Sequence, residues 1–283
     1  MSFGKNQTFR VDLPDMRTLP VVLSIAGFDP SSGAGVTADL KTAAAHHCYG
    51  LACITALTVQ STQGVRRVEP LAEALVQETL DELIADFEIA AVHIGMLATQ
   101  GIVQVVSDFV ASHELKNVVL DPVIRSTSGA DLLEKAAIKL VVEKLIPLAT
   151  VITPNIDEAA ALTGLPVRNV EQMRTAAEEL HRVGAKAVVI TGGHLDPAID
   201  LLSYPGETGI QQEQFEGPHQ RSKSTHGTGC AFATALACEL ALGRGLREAV
   251  PRAKAYVEGA IAHAYAIGKG AGPVHHLFGF ETF

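Results

Sequence analysis

Residues 21–35 read Val21-Val22-Leu23-Ser24-Ile25-Ala26-Gly27-Phe28-Asp29-Pro30-Ser31-Ser32-Gly33-Ala34-Gly35. An apolar, partly β-branched run stops at Gly27, crosses a loop of Gly, Ser and Pro, and enters an amphipathic stretch at 35–47. Strand, glycine-rich loop and helix in that order open a βαβ unit. The alternation continues, predicting strands at 21–26, 51–59, 91–95, 118–121, 151–153 and 187–191, and helices at 35–47, 71–86, 99–113, 132–146, 170–183, 227–242 and 246–266. Two short runs, 200–204 and 210–215, flank Pro205-Gly206-Glu207-Thr208-Gly209 and predict an antiparallel edge hairpin. The expected class is α/β, a mainly parallel sheet with helices on both faces.

Of 283 residues, 47% are hydrophobic, enough to bury one core without disulfides. No linker composition interrupts the chain, so 21–283 is expected to form a single domain behind a loosely ordered leader, 1–20. The formal charge of −9 is spread along the sequence, and Arg66-Arg67 reads as solvated loop charge, which excludes a phosphate-tracking surface for nucleic acid. Cys48, Cys53, Cys230 and Cys238 form no C-x-x-C pair and are expected to be reduced thiols. The start lacks an apolar signal core, and the apolar run at 231–242 is too short to span a bilayer. No membrane partner and a cytoplasmic location are expected.

Ligands of such sheets bind beyond the carboxyl ends of the strands. The loop 27–35 lies there, although it is not G-x-G-x-x-G, and no G-x-x-x-x-G-K-[ST] occurs. Thr225-His226-Gly227-Thr228-Gly229-Cys230 opens an apolar helix, and its N–H groups suit an anion. Cys230 falls in the first turn, where the dipole favours thiolate, whereas Cys238 reads as a small core hydrophobe. Asp39, Asp121 and Glu158 are carboxylates that can meet around a hydrated Mg²⁺. Glu158 has a second reading, because Asn155 and Glu158 stand at N-cap and N3 of a capping box. Gln60 ends a strand and can offer donor and acceptor to a heterocycle. His93, His194, His226, His275 and His276 lack metal-ligand spacing and read as surface or hydrogen-bonded histidines.

Beyond these readings, Ala26-Gly27-x-Asp29-Pro30-Ser31-x-Gly33-Ala34-Gly35-x-x-Ala38-Asp39-Leu40-Lys41-Thr42 resembles the opening signature of hydroxymethylpyrimidine/phosphomethylpyrimidine kinases. Gln60, Gly95-Met96-Leu97, Asp121-Pro122-Val123, Thr153-Pro154-Asn155, Glu158-Ala159, Gly192-Gly193-His194, His226-Gly227-Thr228-Gly229-Cys230 and Gly272-Pro273-Val274-His275-His276 extend the resemblance in order. It implies a ribokinase-like fold, a homodimer, ATP with Mg²⁺, and phosphorylation of a pyrimidine alcohol and then of its monophosphate. By resemblance, Ala34, Asp39, Gln60, Met96 and Val123 correspond to the pyrimidine pocket. Gly227, Thr228, Gly229 and Cys230 correspond to the catalytic anion hole; Asn155, Thr191 and Gly192 to nucleotide phosphates; and Asp121 and Glu158 to magnesium, directly or through water. Thr127 and Thr191 stand where members often carry lysine, leaving Arg125 and Lys223 as substitute cations. Pyridoxal kinase-like relatives tolerate threonine at the latter position, so vitamin B6 phosphorylation is the alternative activity, with a non-catalytic pyrimidine- or nucleotide-binding protein behind it. Gln60 argues for the pyrimidine, because the B6 enzymes tend to carry methionine there.

Overall fold

The computed structural model describes residues 18–193, 195, 197–217 and 226–280. Residues 1–17 of the expected leader lie outside the described residues, as do His194, Lys223 and Thr225. Among the described residues, nine strands form one sheet: β1 (Val21–Phe28), β2 (Tyr49–Ser61), β3 (Gly64–Pro70), β4 (Ile89–Ile94), β5 (Val118–Leu120), β6 (Val151–Ile152), β7 (Val188–Ile190), β8 (Ala198–Gly206) and β9 (Gly209–Gly217). Their order is β3-β2-β1-β4-β5-β6-β7-β8-β9, parallel from β2 to β7 and antiparallel at both edges. Because β1 sits between β2 and β4, the connections diverge beside it, and a crevice opens beyond its carboxyl end.

Strand residues alternate between two cores. Leu23, Ile25, Val92, Ile94, Val118 and Leu120 face α2 (Glu73–Asp86), α3 (Gln100–Ser112), α4 (Lys135–Leu140), α5 (Ile156–Thr163) and α6 (Val170–Arg182). Val22, Ala91, Val119, Val151 and Val189 face α1 (Gly35–Ala45), α7 (Thr228–Ala241) and α8 (Leu246–Ala262). This is the period of two that a sheet covered on both sides demands. Helix α7 buries every residue from Ala231 to Leu240, and its alanines let it lie close to the strands.

Three expectations need correction. The edge strand β3 was not anticipated; its Val65-Arg66-Arg67-Val68 face is half solvated, so its apolar signal is weak. The helix expected at 132–146 begins only at Lys135, because Leu132 N–H donates to Ile124 O and Glu134 N–H to Ala98 O, holding 132–134 extended. It then passes into a π-helical turn at Val141–Leu145. The helix expected to reach 266 stops at Ala262. At the other edge, β8 and β9 form the expected hairpin, longer at both ends.

Candidate active site

Two helix N-termini meet at the crevice. Helix α1 follows Ala34 and α7 follows Gly227, and neither N-cap residue has a side chain that accepts from the first-turn N–H groups. Gly227 has φ 81°, and a Cβ on it would lie 1.9 Å from Gly33 O, so only glycine lets the two segments touch. The Gly35 N–H donates to the Cys230 sulfur, tying the first turns together.

Asp29 folds the loop between β1 and α1. Its Oδ1 accepts from Ser31 N–H (2.8 Å) and Ser31 O–H (2.7 Å), and its Oδ2 from Gly33 N–H (3.2 Å) and Ala34 N–H (3.0 Å). His226 Nε2 adds a contact of 2.8 Å to Oδ2. Burial alone would raise this carboxyl, but hydrogen bonds from His226 and Ser31 outweigh it and hold it below its ordinary value. A depressed carboxyl stabilises the fold above its unfolded pKa, and that stabilisation is lost as pH falls through the folded value. Asp29→Asn should therefore lower the melting temperature by about 5 °C at pH 7, a difference that shrinks below pH 4. Equal losses at both pH values would show that shape rather than charge matters here.

Asp121 follows β5, its N–H donating to Ile94 O, and it is 4% exposed. Glu158 lies in the first turn of α5 and completes the capping box: Asn155 Oδ1 accepts from Glu158 N–H, while Glu158 Oε2 accepts from Asn155 N–H at 2.9 Å. Burial raises Asp121 to about 6, with the His93 charge opposing and Asp39 adding to the rise. Glu158 is pushed up to about 8 by burial and then by the Asp121 charge. Two buried carboxylates, both raised by desolvation and one raised further by the charge of the other, form a donor set short of positive charge. Magnesium keeps waters and phosphate oxygens and needs only one or two carboxylates, so the pair fits it. Among the described residues, no cluster of three His, Cys, Asp or Glu could hold a metal by itself.

The structure overturns one expectation directly. Although Cys230 is partly exposed, desolvation around its thiol and the charges of Asp121 and Asp39 push it well above its ordinary value, outweighing the Gly35 N–H. The resting group is a neutral thiol. Asp39, expected in the pyrimidine pocket, is only 1% exposed. Its oxygens accept from Ser24 (2.6 Å) and Thr234 (2.8 Å), and His93 Nδ1 stands 3.2 Å away.

Met96 and Val123 pack in one small apolar cluster with Ala56, Ala98, Val68 and Leu132. Ala34 lies across the crevice as the α1 N-cap, and the Gln60 amide stands 3.2 Å from His226 Nε2. Asn155 and Thr191 are paired at the ends of β6 and β7, and Gly192 N–H donates to Asp200 Oδ1 at 3.0 Å. Arg125 is engaged with Asp131 at 2.8 Å in an exposed pair, and Lys223 lies outside the described residues. Gly229 borders Asp121, since a Cβ on it would be 3.8 Å from Asp121 Oδ2. The glycine-rich first turn of α7 thus lies beside the Asp121 carboxylate. His226 and His93, read from sequence as surface or hydrogen-bonded histidines, are hydrogen-bonded to partners far along the chain, and Asp29 was not singled out as a site residue.

The family profile described as phosphomethylpyrimidine kinase matches residues 29–275. The hydroxymethylpyrimidine/phosphomethylpyrimidine kinase of Haemophilus influenzae is 41% identical over 268 residues, covering 92% of this chain and 98% of that protein. The thiamine biosynthesis bifunctional protein of Geobacter sulfurreducens is also 41% identical over 92% of this chain, which spans only 53% of that relative. Among solved structures, Bacillus subtilis pyridoxal kinase in an ADP complex aligns with a TM-score of 0.83 at 34% identity, covering 92% of this chain and 98% of that one. Clostridium difficile phosphomethylpyrimidine kinase aligns at 0.74 and 37% identity, covering 86% and 99%. With its ribokinase-like sheet, its paired helix N-termini and this extent of likeness, the chain belongs to the phosphomethylpyrimidine kinase family.

Proposed function

We propose that this chain is an ATP-dependent phosphotransferase of thiamine biosynthesis, phosphorylating 4-amino-5-hydroxymethyl-2-methylpyrimidine and then its monophosphate. The observation that carries the reading is the glycine-rich N-terminus of α7 set against Asp121, within a chain whose full-length relatives bear that activity in their names. The N–H groups of Gly227, Thr228, Gly229 and Cys230 would stabilise charge on the phosphoryl group in flight. Asp121 and Glu158 would hold Mg²⁺, directly or through water, and the ion supplies neutralisation of the nucleotide oxygens. Asn155, Thr191 and Gly192 border the phosphates from the ends of β6 and β7. A loose transition state asks little of a base, so the neutral Cys230 thiol is compatible with transfer.

Met96 and Val123 wall the ring, Ala34 borders it, Gln60 addresses its edge, and Asp39 acts from beneath through its network with Ser24 and Thr234. A homodimer and a cytoplasmic location belong to this reading. The exposed Tyr49, Leu57 and Val59 of β2 support the first, and four free cysteines support the second. Pyridoxal phosphorylation is the second reading, favoured by the pyridoxal kinases among the structural neighbours.

Phosphate transfer assayed side by side with hydroxymethylpyrimidine, its monophosphate and pyridoxal tests the proposal. Both pyrimidines should be turned over, and pyridoxal more slowly. Preference for pyridoxal would reverse the assignment, and ligand-induced stabilisation without turnover of any substrate would mark a binding protein. In the same assay Gln60→Met should cost about 1–3 kcal/mol in kcat/KM for the pyrimidine and less for pyridoxal.

A further inference from the structure

Gln60 and Asp29 approach the same ring nitrogen, His226 Nε2, at 3.2 and 2.8 Å. The Asp29 carboxylate only accepts, so Nε2 must carry the proton. An NH₂ group facing that N–H would set two donors against each other, so the Gln60 atom beside His226 is assigned as the amide oxygen, sharing the N–H with the nearer Asp29 carboxylate. The other end of the amide makes the same demand. Thr58 Oγ1 lies 3.0 Å from the Phe28 carbonyl oxygen and 3.1 Å from the Gln60 amide. A hydroxyl can donate to the carbonyl and accept through its lone pairs at once, so both contacts are fully used when the amide atom facing Thr58 is the NH₂, donating to Oγ1. The half-turn of the amide that satisfies both ends exchanges Oε1 and Nε2 and moves nothing else.

We propose that His226 and Thr58 are positioning residues that lock the Gln60 amide in this one orientation and so determine which heterocycle edge the pocket accepts. His226 takes one lone pair of the amide oxygen and Thr58 one amide hydrogen. One lone pair and one N–H remain side by side on Gln60. Their complement is a ring nitrogen next to an exocyclic amine, the edge of an aminopyrimidine. A pyridine carrying only a ring nitrogen and a phenolic oxygen lacks that pattern. The assignment rests on the proposed function and adds to it two residues outside the catalytic turn, one on β2 and one immediately before α7.

Steady-state kinetics with the hydroxymethylpyrimidine and with pyridoxal test it in wild type, Thr58→Val, Thr58→Ser and His226→Phe. Thr58→Val preserves shape but removes the acceptor, so the pyrimidine KM should rise about tenfold, with kcat and the pyridoxal KM within about twofold. Thr58→Ser keeps the hydroxyl and should restore the pyrimidine KM. His226→Phe should shift the ratio of pyrimidine to pyridoxal KM in the same direction, whatever it does to turnover at the neighbouring anion hole. An unchanged pyrimidine KM in Thr58→Val, or equal rises for both substrates, would overturn the inference while leaving the function intact. A wild-type enzyme with no transfer to the pyrimidine would overturn the function itself, and the inference with it.

Discussion

Gly227→Ala is expected to lower turnover by about 10²–10³-fold or more, the scale on which losing an aligned donor of an anion hole is felt. The methyl group has nowhere to go. Its carbon would sit 1.9 Å from Gly33 O and 2.9 Å from Gly33 C, and the backbone holds φ at +81°. Both obstacles are main chain, so a side-chain rotation cannot relieve them, and either the 29–35 loop or the first turn of α7 must shift. That displacement moves the N–H groups of residues 227–230 off the position where charge develops. The strain is about 1–3 kcal/mol, small against a core of this size, so the variant should fold with a reduced melting temperature. Single-turnover phosphate transfer beside thermal denaturation checks it; near-normal transfer would mean that the helix N-terminus does not serve the reaction.

Glu158→Gln is expected to raise the magnesium needed for half-maximal turnover about 10–100-fold while making the ligand-free protein more stable at pH 8. The two effects share a cause. Glutamine keeps the oxygen that accepts the Asn155 N–H, so the cap persists, but the buried charge disappears. In wild type the folded carboxyl titrates near 8 and the unfolded one near 4.5. Below the lower value both states are protonated and the group is neutral to stability. Between the two values only the unfolded chain releases the proton, so stability falls as pH rises and levels off above about 8. The variant should lack that decline. Melting temperature across pH 4.5–8.5 and magnesium titration of turnover on one preparation test both halves; unchanged magnesium dependence would leave Glu158 with capping alone.

The sheet, its helices and the placing of the glycine loops were legible because period-two and period-3.6 patterns are local. β3 was not, since an edge strand with Arg66 and Arg67 in it carries little apolar signal. The start of α4 was not, because the hydrogen bonds from Leu132 and Glu134 run to distant residues Ile124 and Ala98. The site divides in the same way. The glycine-rich start of α7 could be read from five consecutive residues, and the Asn155–Glu158 cap from four. The upward shift of the Cys230 thiol could not, because it comes first from burial in the folded chain and then from carboxylates of three other segments, at 39, 121 and 158. His226 looked unremarkable in its own neighbourhood and gains its meaning from Asp29 and Gln60, each more than 160 positions away along the chain.

The meeting of α1 and α7 at their N-termini also bears on how activity is acquired. Residues 33–35 and 227–230 stand at nearly opposite ends of the described chain, yet the Gly33–Gly227 contact and the Gly35–Cys230 hydrogen bond require them in register. Closing so long a loop is entropically costly, and non-local contacts of this kind form late along a folding trajectory. Helices and β1–β2 pairing can be present in a refolding chain that has no anion hole at all. Regain of phosphoryl transfer is therefore a report on completed topology, whereas recovered helicity is not.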